Sequence, residues 1–232
     1  MPMSSPFAVL FDVDGTLVDT NYLHVHAWAR AFREANIDVE SWRIHRSIGM
    51  DGDSLVANLS GDASDVVRQR LKDRHSSLYK DSAGLIVRLP GARELLHHLA
   101  EHEVRVVLAS SAPDDELAIT RQILDSDEVI VAATSSKDVD TAKPNPDIVE
   151  VALERAGASA QQAVFVGDAV WDGEAATRAG VPFIGLRCGG VADCELEKAG
   201  AQAVFDDPLE LLRRLDTTVI GARIREVAYP TK

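Results

Sequence analysis

Short apolar runs alternate with amphipathic stretches over most of this chain, and that alternation predicts its elements. Phe7 to Phe11, Val104 to Ala109, Val129 to Ala133, Ala163 to Val166 and Phe183 to Leu186 have the length of buried strands, too short for helices. Between them, Pro90-Gly91 opens a helix carrying Leu95, Leu96 and Leu99. Pro113-Asp114-Asp115-Glu116 sets a proline and acids where a helix N-terminus favours them. Pro144 to Ala156 reads as another helix, and Glu174 to Ala179 as a short one closed by Gly180. Val204-Phe205 and a helix around Leu209 to Leu215 complete the series. Such alternation predicts an α/β fold: a Rossmann-like parallel sheet with right-handed crossovers and helices on both faces.

Residues 20–85 break the rhythm. Tyr22, Val25, Ala29 and Phe32 fall at helical spacing, as do Leu55, Val56 and Leu59, and then Val67, Leu71 and Leu78; no strand is expected among them. The stretch is read as an all-helical cap domain inserted after the first strand. Residues 1–19 and 86–232 then form a discontinuous core. Val219-Ile220, in the terminal segment 217–232, is compatible with an edge strand or a packed tail.

Composition narrows the function classes. The 232 residues are 46% apolar and 26% charged, ordinary for a folded soluble chain. A formal net charge of −13 argues against nucleic acid or an anionic membrane as partner, since both require clustered Lys and Arg. An anionic substrate would gain no long-range help from this charge and must be held by a metal or a few local cations. Cys188 and Cys194 are too few to staple a domain and read as reduced thiols. With no leader and no membrane-length apolar run, a cytoplasmic protein is expected.

The chemistry concentrates after the strands, where open parallel sheets bind ligands. Asp12 and Asp14 follow the first strand and start as neighbours on one side of the extended chain. Two carboxylates at the mouth of a buried strand repel one another, a cost that a divalent cation or a shared proton relieves. Ser110 ends a second strand, Lys143 sits in Ala142-Lys143-Pro144-Asn145-Pro146, and Asp168 and Asp172 follow a third. Oxygen ligands without cysteine or histidine suit Mg²⁺, while the hydroxyl and the lysine suit a phosphoryl group.

These four ordered motifs, Asp12-x-Asp14-Gly15-Thr16, Ser110, Lys143-Pro144-x-Pro146 and Gly167-Asp168-x-x-x-Asp172, resemble those of the haloacid dehalogenase-like superfamily. The similarity is to its branch with a small helical cap, which contains phosphoglycolate phosphatases and β-phosphoglucomutases, and it runs to about residue 215. The resemblance implies Asp12 as nucleophile forming an aspartyl-phosphate and Asp14 as acid/base. It implies Ser110, Ser111, Lys143, Gly15 and Thr16 around the phosphoryl group. Mg²⁺ would lie among Asp12, Asp14 (through its backbone carbonyl) and Asp168, with Asp172 supporting. Asp14 is then expected to be protonated while Asp12 is ionised.

In the cap, the loop Arg43 to Gly52 is the expected selector of substrate, with His45, Arg46 and Gly49 as candidates beside His24 one helix earlier. His24 and Trp28 sit one turn apart, as a histidine and tryptophan do in the resembled mutases. Trp171 would wall the pocket or pack beside it. The leading reading is a Mg²⁺-dependent phosphatase acting on a small phosphorylated metabolite of the phosphoglycolate or sugar phosphate type, as a monomer or weak dimer. The alternative is a β-phosphoglucomutase-like mutase. The resembled mutases carry a Lys-Asn pair shortly after the motif serine, where this chain has Ser111-Ala112-Pro113-Asp114-Asp115-Glu116. Dehalogenation would leave Asp14 without purpose. A phosphonatase would need a cap lysine, and none lies between Thr20 and Leu71.

Overall fold

A computed structural model describes residues 6–139 and 141–228. Its elements begin with β1 (Ala8–Phe11) and β2 (Val18–Asp19), then four helices, α1 (Asn21–Glu34), α2 (Ser41–Ser47), α3 (Gly52–Leu59) and α4 (Asp65–Asp81), and then β3 (Val87–Arg88). The chain continues through α5 (Ala92–Glu101), β4 (Arg105–Ala109), α6 (Asp114–Leu124), β5 (Ile130–Thr134) and α7 (Asp147–Ala156). It ends with β6 (Ala163–Gly167), α8 (Val170–Arg178), β7 (Phe183–Leu186), α9 (Asp193–Lys198), β8 (Ala201–Phe205), α10 (Pro208–Arg213) and α11 (Val219–Ala228).

Six strands form one parallel sheet in the order β5-β4-β1-β6-β7-β8. The chain leaves β1 toward one edge and returns past it toward the other, so the strand order reverses beside β1. That reversal opens a crevice at the carboxyl ends of β1, β4 and β6. The sheet is buried on both faces by the period-2 alternation of its strands. Val9, Phe11, Val106, Leu108, Val164 and Val166 pack into one core cluster, and Ala8, Leu10, Val107, Ala109 and Phe165 into the other.

The helices α1 to α4 lie between β2 and β3, which pair antiparallel as a two-residue ribbon. Trp28, Phe32, Leu55, Leu71, Leu78 and Tyr79 are the buried side of this segment. Several expectations need correction here. The ribbon was missed because two-residue strands carry no readable period. The expected loop at Arg43 to Gly52 is half helix: α2 covers it to Ser47, and its buried positions, Ile44 and Ser47, are too few to show amphipathicity. Helix α8 starts at Val170, not Glu174, because the Asp172 carboxylate accepts the Ala169 N–H and closes the first turn. Helix α9 was not foreseen, β8 begins three residues before Val204, and Val219-Ile220 opens a helix, not an edge strand. The remainder of the terminal segment, residues 229–232, lies outside the described residues.

Phe165 is fully buried at the centre of the sheet. Phe165→Ala is expected to cost about 3–5 kcal/mol, read as a lowered urea midpoint at unchanged slope.

Candidate active site

Asp12 is the first residue past β1, and its N–H donates to Val166 O at 2.9 Å, so neighbouring β6 fixes its backbone. The chain then turns tightly: Gly15 N–H meets Val18 O at 2.8 Å and Leu17 N–H meets Val13 O at 2.9 Å. Gly15 takes φ +78°, and a Cβ there would collide with the Asn21 amide and the Asp168 carboxylate. Only glycine lets the turn lie against the acid at the end of β6.

Lys143 is buried, and its Nζ lies 2.5 Å from Asp12 Oδ1 and 2.8 Å from Asp172 Oδ1. The other Asp172 oxygen accepts the N–H groups of Asp168 at 3.2 Å and Ala169 at 3.0 Å. Asp168 accepts from Thr16 Oγ1 at 2.7 Å and from Asn21 Nδ2 at 2.8 Å. Thus three carboxylates face one ammonium in a nearly dry corner. Burial, followed by repulsion from Asp172, pushes Asp168 up to about 7. Burial also holds Asp12 well above the usual carboxylate range, against the pull of Lys143. Lys143 stays charged: burial works against the ammonium, but Asp12 and Asp172 more than offset it.

The donor set fits a hard divalent cation. Oxygens of Asp12, Asp168 and Asp172 lie within 4.8 Å of one another, with no sulfur or nitrogen ligand in the group. Excess buried negative charge is what such an ion would neutralise.

Asp14 is in a different environment. Its Oδ1 accepts from Thr20 Oγ1 at 2.7 Å and faces His24 Nε2 at 3.4 Å. His24 Nδ1 in turn lies 3.0 Å from His75 Nε2. With its proton on Nε2, His24 donates to Asp14 and accepts at Nδ1 from His75. Burial, then His24, lowers the His75 pKa and favours its neutral ring. The rings are held by stacking: Trp28 on His75 and Tyr79 on His24, each with centroids 4.0 Å apart. Burial raises Asp14, but His24 and Thr20 outweigh it and the net shift is downward. The protein's own groups thus push Asp12 up and Asp14 down, and the expected pairing of a protonated Asp14 with an ionised Asp12 is one that Mg²⁺ beside Asp12 would supply. The cause is local: Asp12 sits among carboxylates, while Asp14 sits among donors.

A cleft of about 840 Å³ opens over these groups, lined in part by Asp12, Asp14, His24, Gly49 and Ser111. Other predicted residues stand apart from it. The Ser110 hydroxyl is buried and accepts the Ala112 N–H at 3.0 Å, shaping the turn whose Ser111, Ala112 and Pro113 face the cleft. Thr16 serves Asp168, as above. His45 and Arg46 point to the core: His45 Nε2 bonds Gly189 O at 2.9 Å, and the Arg46 guanidinium pairs with Glu195 through both its NH groups. Gly49, at φ +95°, lets the segment pass Ala169, whose Cβ would be 2.9 Å from an added one. Trp171 Nε1 donates to Arg46 O at 3.2 Å, bracing α2. Sequence reasoning passed over Thr20, Asn21, His75 and Glu116. Thr20 and Asn21 had one available signal, polar residues directly after the acidic motif where an apolar helix face begins.

A parallel sheet with an aspartate pair, a lysine and two more aspartates at its switch point is an α/β fold whose site is built from carboxylates around one ammonium. The chain belongs to the haloacid dehalogenase-like hydrolases, whose family model matches residues 9–186. It is similar to the solved structure of a hydrolase from Pseudomonas syringae, 38% identical with TM-score 0.88, covering 91% of this chain and 98% of that one. It is also 29% identical to a phosphoglycolate phosphatase of Rhodospirillum rubrum, over 87% of this chain and 88% of the relative. A β-phosphoglucomutase structure from Clostridium difficile shares the fold at TM-score 0.80 and 21% identity, covering 96% of this chain and 99% of that one.

Because Asp168 is raised on folding, its contribution to stability is full below the unfolded carboxylate value and is lost as pH rises through about 7. In chelator, Asp168→Asn is therefore expected to gain on wild type as pH rises from about 4 to about 7, by a few kcal/mol at most. Melting curves against pH read this. Added Mg²⁺ should raise the wild-type melting temperature and not that of the variant.

Proposed function

We propose that the protein is a Mg²⁺-dependent phosphatase that hydrolyses a small phosphorylated metabolite through an aspartyl-phosphate. The observation that carries this reading is the separation of the two motif aspartates. Asp12 is paired with Lys143, and Asp14 is held 2.7 Å from Thr20 and 3.4 Å from His24 on the cleft side. One acid is thereby built to be attacked with and the other to exchange a proton.

Asp12 Oδ attacks phosphorus in line with the ester oxygen, and the phosphoryl group passes to the carboxylate. Asp14 gives its proton to the leaving oxygen, then takes one from the water that hydrolyses the acyl phosphate. The incoming phosphoryl dianion favours the protonated form of Asp14. Lys143 and the turn Ser110 to Pro113 hold the equatorial oxygens. Mg²⁺, held by Asp12, Asp168 and the Asp14 carbonyl with Asp172 behind them, would neutralise phosphoryl charge. We take residues 20–85 as the cap over this centre and residues 1–19 and 86–232 as the core. No helix among the described residues is long and apolar enough to cross a membrane. The acidic stretch Ser111 to Glu116 favours hydrolysis over a mutase, which must hold a second phosphate.

With Mg²⁺ and p-nitrophenyl phosphate, wild type is expected to release phosphate and Asp12→Asn to release none. Asp14→Asn should lower kcat by about 10²–10⁴. Undiminished turnover by Asp12→Asn overturns the reading. Supplied with β-glucose 1-phosphate and its bisphosphate, the protein should form no glucose 6-phosphate; isomerisation without net phosphate release would instead establish the mutase.

A further inference from the structure

The cleft is charged with one sign. Beyond Asp12 and Asp14, its wall carries Asp51, Asp53, Asp73, Asp115 and Glu116, and the one Lys or Arg among its described lining residues is Lys72. That lysine is already bonded to Asp53 at 2.6 Å. Most of these acids have work elsewhere. Asp51 caps α3 through the N–H groups of Asp53 and Ser54, Asp73 accepts from Gln69 at 2.8 Å, and Asp115 pairs with Lys80.

Glu116 is different. It is 3% exposed, lines the cleft, and has no ion-pair partner among the described residues. Its side chain is hydrogen-bonded to Ser76. One of its oxygens lies within 4.8 Å of ring nitrogens of both His24 and His75. Since His24 reaches Asp14, this carboxylate sits just past the group that protonates the leaving oxygen. A buried carboxylate with no ion-pair partner is costly, and a ligand that donates hydrogen bonds or carries positive charge relieves the cost. Beside it, Trp28 and His75 stack with planes 12° apart, and both line the cleft.

We propose that this subsite selects phosphomonoesters of polyhydroxylated alcohols, neutral or amine-bearing. Glu116 accepts a hydroxyl or ammonium proton of the leaving group, and the acidic wall rejects leaving groups that carry a carboxylate or a second phosphate. The inference rests on the phosphatase reading and narrows it. It sets this chain apart from the activity for which its Rhodospirillum rubrum relative is named, since glycolate, the leaving group of phosphoglycolate, carries a carboxylate.

A matched hexose series tests it: glucosamine 6-phosphate, glucose 6-phosphate and 6-phosphogluconate, together with 2-phosphoglycolate. Each is measured by phosphate release and as a competitor of p-nitrophenyl phosphate hydrolysis, so that compounds that bind without turnover are also read. The expected order is glucosamine at least equal to glucose, and both at least about tenfold better than the two carboxylates. Glu116→Gln should shrink that ratio, and Asp115→Asn should shrink it less. A ratio between substrates does not depend on the fraction of variant that folds. Hydrolysis of p-nitrophenyl phosphate with a flat or reversed order overturns this inference and leaves the phosphatase reading standing. An order that Glu116→Gln does not change overturns the assignment to Glu116. Failure to hydrolyse p-nitrophenyl phosphate overturns both.

Discussion

The arrangement of this protein depends on concentrating like charge where water is scarce. Asp12, Asp168 and Asp172 converge within 4.8 Å at the carboxyl edge of β1 and β6, and Lys143 answers only part of their charge. The surrounding structure can be understood as what keeps them together. Phe165 lies 5.4 Å from the Lys143 ammonium and closes the site from below. Asn21 and Thr16 donate to Asp168, and the backbone of 168–169 donates to Asp172. Asn21 is fixed by α1, which buries Trp28 and Phe32, and Asp172 by α8, which buries Ala175 and Ala176. The repulsion is held in check by the fold, and it makes the site receptive to a cation.

The same principle separates two chemically identical side chains. Asp12 and Asp14 are two residues apart, yet burial among acids raises one while donors lower the other. Sequence distance predicts shared fate; environment decides otherwise. The donors to Asp14 come from the first turn of the helical segment and from the residue just before it, not from the sheet. Asp14 is therefore tied to the helical segment whose residues also line the cleft.

The sheet was legible because buried parallel strands write themselves as apolar runs, and their ends named Asp12, Ser110 and Asp168 directly, while Lys143 stood out in its proline-bound loop. What stayed hidden is instructive. The β2–β3 ribbon has too few residues to show alternation. His75 lies 51 residues from His24, and nothing in either local pattern says that the two rings meet. Glu116 looked like a helix-start acid beside Asp114 and Asp115, and only packing distinguishes the one turned inward. Arg46 and His45 had the right chemistry for an anion and the wrong direction. Their helix is amphipathic over too few turns to tell which face meets the core.

Contacts that hold the helical segment over the core divide into two kinds, and the division bears on access to the cleft. Arg46–Glu195 and Lys80–Asp115 are largely exposed ion pairs, each worth about 1 kcal/mol or less once screened by salt. Tyr22 stacked on His45, and His45 on Gly189 O, add a partly buried contact at one edge. By contrast, α1 packs on α4 and α2 through buried apolar side chains that belong to the segment itself. The segment is thus better bonded internally than to the core, and β2 and β3 are a narrow connection. Water can replace the exposed pairs at small cost, whereas the carboxylates beneath are held by buried bonds from Thr16, Asn21 and Lys143.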